Sequence, residues 1–152
     1  MKLETLIEVT RIKMEIKEVE EVYRNMMPNR IYSSSDAINF AKALIGDEDR
    51  EIFLVLCLNT KNEITAVHRC HTGSINASIV HPREVFKSAI LNNSASIIVA
   101  HNHPSGDCQH SPEDIAVTKR LEEAGAIIGI ELLDSLIVSH KDGVSLREKG
   151  IF

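Results

Sequence analysis

The sequence lacks the features of membrane, secreted and disulfide-rich proteins. No apolar run approaches the roughly 20 residues that span a bilayer, and acidic residues spread through the N-terminal segment exclude the apolar centre of a signal peptide. The three cysteines, Cys57, Cys70 and Cys108, are odd in number and have no CxxC spacing, which argues against a disulfide framework and against a thiolate zinc finger. We therefore expect a cytoplasmic protein with no membrane partner.

An excess of positive charge is also missing. The formal net charge is −5, from 17 lysines and arginines against 22 aspartates and glutamates, whereas phosphate binding usually shows as a basic face. Charge therefore does not support nucleic acid as a partner. With 152 residues, of which 43% are hydrophobic and 26% charged, the composition is that of a globular domain long enough to bury a core.

Helical and strand patterns interleave along the chain and predict one mixed α/β domain over residues 32–152, after an N-terminal extension over 1–31 with an edge-strand pattern at 6–16. Three helices are predicted: 36–44 with a serine N-cap, one that opens at His81-Pro82 with an apolar face that includes Ile90, and 112–124 ended by Gly125. The continuous apolar run over 52–58 predicts a buried strand or a short buried helix. Further strands are predicted at 64–68 as a hairpin partner, at 73–80, at 95–100 in the core, at 127–130 and at 135–139.

The pattern His101-x-His103 follows the core strand directly. Alternate residues of a strand point the same way, so both imidazoles can converge on one ion. Zinc accepts imidazole nitrogen, often with a carboxylate as third ligand, and three protein ligands leave a fourth position for water. Asp114 in the next helix is the candidate third ligand, and Asp107 is its rival. Ser111-x-x-Asp114 fits a helix capping box equally well.

The complete string resembles a known signature. His101-x-His103-Pro104 followed by Ser111-x-x-Asp114 resembles the JAMM motif of the JAB/MPN metalloprotease superfamily, which also has an upstream glutamate beside an early core strand. Glu51, directly before the 52–58 strand, fits that glutamate. Within the superfamily the chain resembles the RadC branch over about residues 32–152. The remaining segments that carry this likeness are 58–62, 73–74, 81–86, 100–107, 132–134 and 145–150.

The resemblance implies a JAB/MPN, cytidine-deaminase-like fold, in which helices flank a central mixed sheet. It also implies a zinc metallopeptidase-like hydrolase that acts on a peptide or isopeptide substrate. In that enzyme His101, His103 and Asp114 would hold Zn²⁺. Glu51 would be the general base, and Ser111 would hydrogen-bond the tetrahedral oxyanion or the attacking water.

Other functions and residues stay open at this stage. RadC-like proteins are traditionally linked to DNA repair, so a nucleic-acid-associated factor or metal-dependent nuclease is the alternative function, and a non-catalytic scaffold is the third. Two departures from the family pattern are visible: residues 1–31 contain no helix-hairpin-helix segment, and Ser135 stands where the family usually has histidine. Glu84 is the second choice for the base, and Cys108 and His110 are candidate auxiliary ligands.

Overall fold

A computed structural model describes residues 30–76 and 78–152 of the chain. In chain order the elements are α1 (Ser34–Ile45), β1 (Ile52–Leu58), β2 (Ile64–Thr72), α2 (Pro82–Leu91), β3 (Ser96–Asn102), α3 (Pro112–Ile128), β4 (Glu131–Val138) and β5 (Gly143–Ser145). Within these residues, no helix combines the length and the hydropathy that crossing a membrane requires. The predicted edge strand at 6–16 lies outside the described residues, and the domain boundary near residue 31 stays a prediction.

The five strands form one mixed sheet in the order β2-β1-β3-β4-β5. Strand β1 runs antiparallel to both β2 and β3, β3 and β4 are parallel, and β4 is antiparallel to β5. The parallel pair is joined through α3, as a crossover between parallel strands requires. The predicted mixed α/β class with a central sheet flanked by helices is confirmed.

The apolar run of β1 is continuous because helices cover both faces of the sheet. Its odd-numbered residues, such as Phe53 and Val55, pack in the core shared with α2 and α3. Its even-numbered residues, such as Leu54 and Leu56, pack in a second core beneath α1. Strand β3 alternates in the same way. The odd-numbered end residues of β1 and β3 therefore point to the α2 and α3 side.

Helix starts follow the predicted caps. Helix α1 begins after Ser33, whose hydroxyl accepts the backbone N–H of Asp36 in a capping box. Helix α2 has Pro82 in its first turn and His81 as N-cap, with the imidazole Nδ1 accepting the Arg83 N–H at 3.2 Å. Its predicted apolar face is correct except at Ile90, which is exposed.

Two predicted strands are wrong. In the 73–80 segment, no described residue belongs to a strand. Residues 78–79 form a turn in which the Asn76 side-chain oxygen accepts the N–H groups of Ser78 and Ile79, and these bonds replace ladder hydrogen bonds. The 127–130 segment is not a strand either, since α3 continues to Ile128.

The predicted end of α3 at Gly125 is wrong. The helix runs through Gly125 and ends at Ile128, with Gly129 as its C-cap at a left-handed φ of 85°. Gly125 is needed for close packing, because a Cβ there would stand 2.5 Å from the carbonyl oxygen of Ile130 and 3.2 Å from the ring of Phe86. The predicted 135–139 strand is the second half of the longer β4 up to Val138, and Ser139 lies beyond its end.

Candidate metal centre

The end of β3 presents two imidazoles on one face of the sheet. His101 is buried and stacks on Phe53 of β1, with ring centroids 6.2 Å apart. The backbone N–H of His103 donates to the Val138 carbonyl at 2.9 Å, so the extended chain continues along β4 beyond Asn102. Residues two apart in extended chain share a face. The Nε2 atoms of His101 and His103 are accordingly 3.2 Å apart.

The first turn of α3 brings a carboxylate to the same point. The Ser111 hydroxyl accepts the Asp114 N–H at 3.2 Å, and Asp114 Oδ2 accepts the Ser111 N–H at 2.8 Å. This capping box turns the carboxylate back toward the start of the helix, where Oδ1 lies 2.9 Å from His101 Nε2 and Oδ2 lies 3.3 Å from His103 Nε2. Capping and convergence on the histidines are therefore one arrangement, not competing explanations of the same spacing.

A backbone carbonyl orients the His103 ring. His103 Nδ1 lies 2.8 Å from the carbonyl oxygen of Asp107. Because a carbonyl only accepts, Nδ1 must carry the proton, and the neutral ring then has its lone pair on Nε2. Such a hydrogen bond behind the ligand atom is typical of histidines that bind metals. The loop between β3 and α3 thus directs Nε2 toward His101 and Asp114.

The electrostatics of the site follow from these contacts. Burial by itself raises the pKa of Asp114, but the hydrogen bonds from His101 and His103 outweigh it and hold the pKa well below its usual range. His103 Nε2 donates to Asp114 only when the ring is protonated at both nitrogens, and this hydrogen bond raises the pKa of His103 against the opposing effect of burial. Asp114 is therefore ionised at neutral pH, as a carboxylate ligand must be.

His101, His103 and Asp114 fit a divalent metal ion. One donor atom from each residue can be chosen so that all three lie within 4.8 Å of one another, and no other group of this kind is found in residues 30–76 and 78–152. Imidazole nitrogen and carboxylate oxygen together suit first-row divalent metals. An open cleft of about 420 Å³ borders His103 and Asp114, so the site is open to solvent.

Glu51 lines that cleft from a different element. It is half-buried immediately before β1. The antiparallel register pairs Phe53 with His101, which brings position 51 opposite position 103. The Glu51 carboxylate accepts the Ile75 N–H at 3.3 Å. The structure thus brings Glu51, Ser111, His103 and Asp114 to one cleft, while their chemical roles stay predictions.

The weaker sequence candidates have other contacts. The Asp107 carboxylate accepts the Gln109 N–H in a turn, so Asp107 serves His103 through its backbone carbonyl. Glu84 is exposed on α2, with Arg83 as its ion-pair partner at 3.9 Å. Cys108 is buried with Ile137, and its thiol donates to the Asp142 carbonyl at 3.5 Å. Neither Cys108 nor His110 belongs to the three-residue cluster.

Two buried polar residues behind the site matter to its construction. Ser135, the departure from the family pattern, hydrogen-bonds Thr118 at 2.8 Å, one helical turn beyond Asp114 on α3. Asn102 is fully buried between the two histidines in sequence, and sequence reasoning passed over it. The sequence did contain a sign of its role: strand alternation places this polar side chain in the apolar layer beneath α1, where it must find hydrogen-bond partners.

Ser111→Ala is expected to lower the free energy of unfolding by about 0.5–2 kcal/mol, because the Asp114 N–H loses its cap. Urea unfolding measures the loss. Ser33→Ala, which removes the equivalent cap from α1, is the matched control and should cost a similar amount. A stability equal to that of the unmodified chain would contradict the capping role.

The comparisons with known proteins agree on one family. The model of the RadC-like JAB domain family matches residues 31–151. A UPF0758 protein of Shouchella clausii is 50% identical over 142 residues, which are 93% of this chain and 58% of that protein. A UPF0758 protein of Caldanaerobacter subterraneus is 50% identical over 122 residues, 80% of this chain and 52% of that protein. A UPF0758 protein of a Geobacillus species is 60% identical over 101 residues, 66% of this chain and 45% of its own length.

This chain spans about half the length of the curated relatives it matches. The relatives' names state no reaction, so any activity has to be argued from the site. The family match extends over the sheet, the three helices of the described residues and the His101, His103 and Asp114 cluster. The chain therefore belongs to the RadC-like JAB domain family.

Proposed function

We propose that this chain is a zinc-dependent hydrolase that cleaves an amide or isopeptide bond of a cytoplasmic peptide substrate. One observation carries the proposal: two imidazole nitrogens and a buried carboxylate converge beside a cleft that a second carboxylate, from Glu51, also lines. A metal site paired with a candidate base in an open cleft is the arrangement that hydrolysis by activated water needs.

His101, His103 and Asp114 would hold the ion. Zinc accepts two imidazole nitrogens and a carboxylate oxygen, and catalytic zinc sites have three such protein ligands. When bound, zinc supplies Lewis-acid chemistry and lowers the pKa of a coordinated water to about 7. The cleft side of the cluster is open, which suits a fourth position for water or substrate.

Glu51 and Ser111 would do the proton and hydrogen-bond chemistry. The Glu51 carboxylate takes a proton from the attacking water, whose oxygen adds to the carbonyl carbon. As the C–N bond breaks, Glu51 gives that proton to the leaving amine nitrogen, so the products are an amine and a carboxylic acid, which ionises at neutral pH. The Ser111 oxygen accepts from the Asp114 N–H, so its own O–H is free to donate to the developing oxyanion.

A reconstitution experiment tests the proposal. The full chain is stripped with a chelator, then reloaded with zinc, and each form is assayed on fluorescence-quenched libraries of α-linked peptides and lysine ε-isopeptides. We expect hydrolysis by the zinc form and its loss in the stripped form. Activity that survives stripping would refute the proposal. If duplex DNA is cleaved and neither library is, the chain would be a nuclease and the proposal would be wrong.

Zinc affinity is expected to fall as the pH is lowered. The hydrogen bond to Asp114 raises the pKa of His103. A proton on His103 therefore competes with zinc up to a higher pH than a proton on an ordinary histidine, whose pKa is about 6.5. Below the raised pKa each displaced proton lowers the affinity about tenfold per pH unit. Calorimetry in buffers of different ionisation enthalpy measures the released protons. A pH-independent affinity across this range would contradict the assigned ligand.

A further inference from the structure

We propose that Asn102 is the positioning residue of Glu51, an inference that rests on the proposed role of Glu51 as general base. Asn102 is the last residue of β3 and is completely buried. Alternation along the strand directs its side chain away from the His101 and His103 rings and toward the side of the sheet covered by α1. A buried amide needs partners for its oxygen and its NH₂ group, and here all of them are supplied by one segment.

That segment is the backbone on both sides of Glu51. Asn102 Oδ1 accepts the Ile52 N–H at 2.7 Å. Asn102 Nδ2 donates to the Arg50 carbonyl at 2.9 Å and to the Glu48 carbonyl at 3.3 Å. The orientation of the amide is fixed by chemistry, because an N–H requires the oxygen and two carbonyls require the nitrogen. Both peptide groups that flank Glu51 are therefore held by a single side chain.

The consequence is a direct link between the base and the metal ligands. Asn102 joins His101 to His103 through the backbone, and its side chain fixes the entry of the chain into β1, where Glu51 stands. Glu51 also accepts two hydrogen bonds from the 73–75 segment, since its carbonyl accepts the Gly73 N–H and its carboxylate accepts the Ile75 N–H. A base must stay within hydrogen-bond reach of its proton, and a displacement of about 1 Å costs about 10²-fold in rate.

Two variants separate this role from general support of the fold. Asn102→Asp keeps the shape and still accepts the Ile52 N–H, but its second oxygen repels the Glu48 and Arg50 carbonyls. Asn102→Ala removes all three hydrogen bonds without adding a charge. Ser145→Ala is the matched control, since it removes another buried hydrogen bond of the sheet, from the Ser145 hydroxyl to Asp134 at 2.6 Å.

The first measurement uses the zinc-loaded full chain and needs no substrate. With ¹³C-labelled glutamate, the Glu51 carboxyl resonance is assigned by its disappearance in Glu51→Gln. We expect that resonance to move in whichever Asn102 variant folds, with zinc still bound. Amide hydrogen exchange at Ile52 should accelerate in Asn102→Ala, which removes the acceptor of that N–H. Ser145→Ala should change neither. An unmoved resonance, or loss of zinc from a folded Asn102 variant, would overturn the proposal.

The second measurement is a double-mutant cycle on the best probe from the peptide and isopeptide libraries. The Asn102 variant should lower kcat by about 10²-fold with KM nearly unchanged, and should have little further effect on kcat in the Glu51→Gln background. Equal loss in both backgrounds would mean that Asn102 acts elsewhere, and the positioning role would fall. A Glu51→Gln variant with full kcat would instead refute the base itself, and the positioning role with it.

Discussion

Glu51→Gln is expected to keep zinc bound and the domain folded while turnover falls by about 10²–10⁴-fold, the usual contribution of a positioned base. Glutamine preserves the size of the side chain and can still accept the Ile75 N–H, but it cannot take up a proton from water. The change therefore tests chemistry and leaves packing intact. Steady-state kinetics on the best library probe, together with metal analysis of the same sample, measure both quantities.

Glu84→Gln is the control for this variant, because Glu84 is exposed on α2 and its partner is Arg83. It should leave turnover unchanged. Loss of zinc from Glu51→Gln would make Glu51 a ligand, not a base. Full turnover by Glu51→Gln, or loss of turnover in Glu84→Gln, would contradict the assignment.

Replacing His101 and His103 together by alanine is expected to reduce bound zinc from about one ion per chain to none. A single carboxylate and solvent cannot replace the two imidazole ligands of such a site. The domain should still fold at 25 °C, because the two apolar layers on either side of the sheet do not depend on the metal. Asp114 loses two partners but keeps the Ser111 N–H, so stability falls by a few kcal/mol, on the order of the cost of breaking a buried pair.

His68→Ala with His71→Ala is the matched control, since both histidines lie half-buried on β2 and neither belongs to the metal cluster. Metal analysis by mass spectrometry and thermal unfolding of both double variants measure the effect. One zinc per chain in the His101 and His103 variant would refute the ligand assignment. Loss of zinc in the control would show that binding is not confined to the proposed site.

Local sequence patterns predicted the structure correctly where one physical requirement, such as burial or helix capping, determines it. The continuous apolar run at 52–58 predicts a buried strand or a short buried helix, and it is the strand β1 with those bounds. The His101-x-His103 pair after a strand predicts two rings on one face, and their Nε2 atoms are 3.2 Å apart. Ser111-x-x-Asp114 predicts a capping box, which is present. In each case the residues that decide the structure are close together in sequence.

Prediction from the sequence failed where the structure depends on a contact with a residue far away in the chain. Gly125 and Gly129 are equally good helix terminators by residue type, and only the closeness of Phe86 and Ile130 to Gly125 gives the first a packing role. Asn102 was passed over because its three partners lie about 50 residues earlier in the chain. The local periodicity of the sequence gives no indication of such a contact. A polar residue among buried positions does indicate that it must have some hydrogen-bond partner.

The most direct test of the zinc centre is anomalous scattering at the zinc edge from a crystal of the full chain grown with zinc. The account predicts one strong peak per chain, about 2.0–2.2 Å from His101 Nε2, His103 Nε2 and an oxygen of Asp114, on the side that faces Glu51. A peak on Asp107, Cys108 or His110, or no peak at the three ligands, would contradict it.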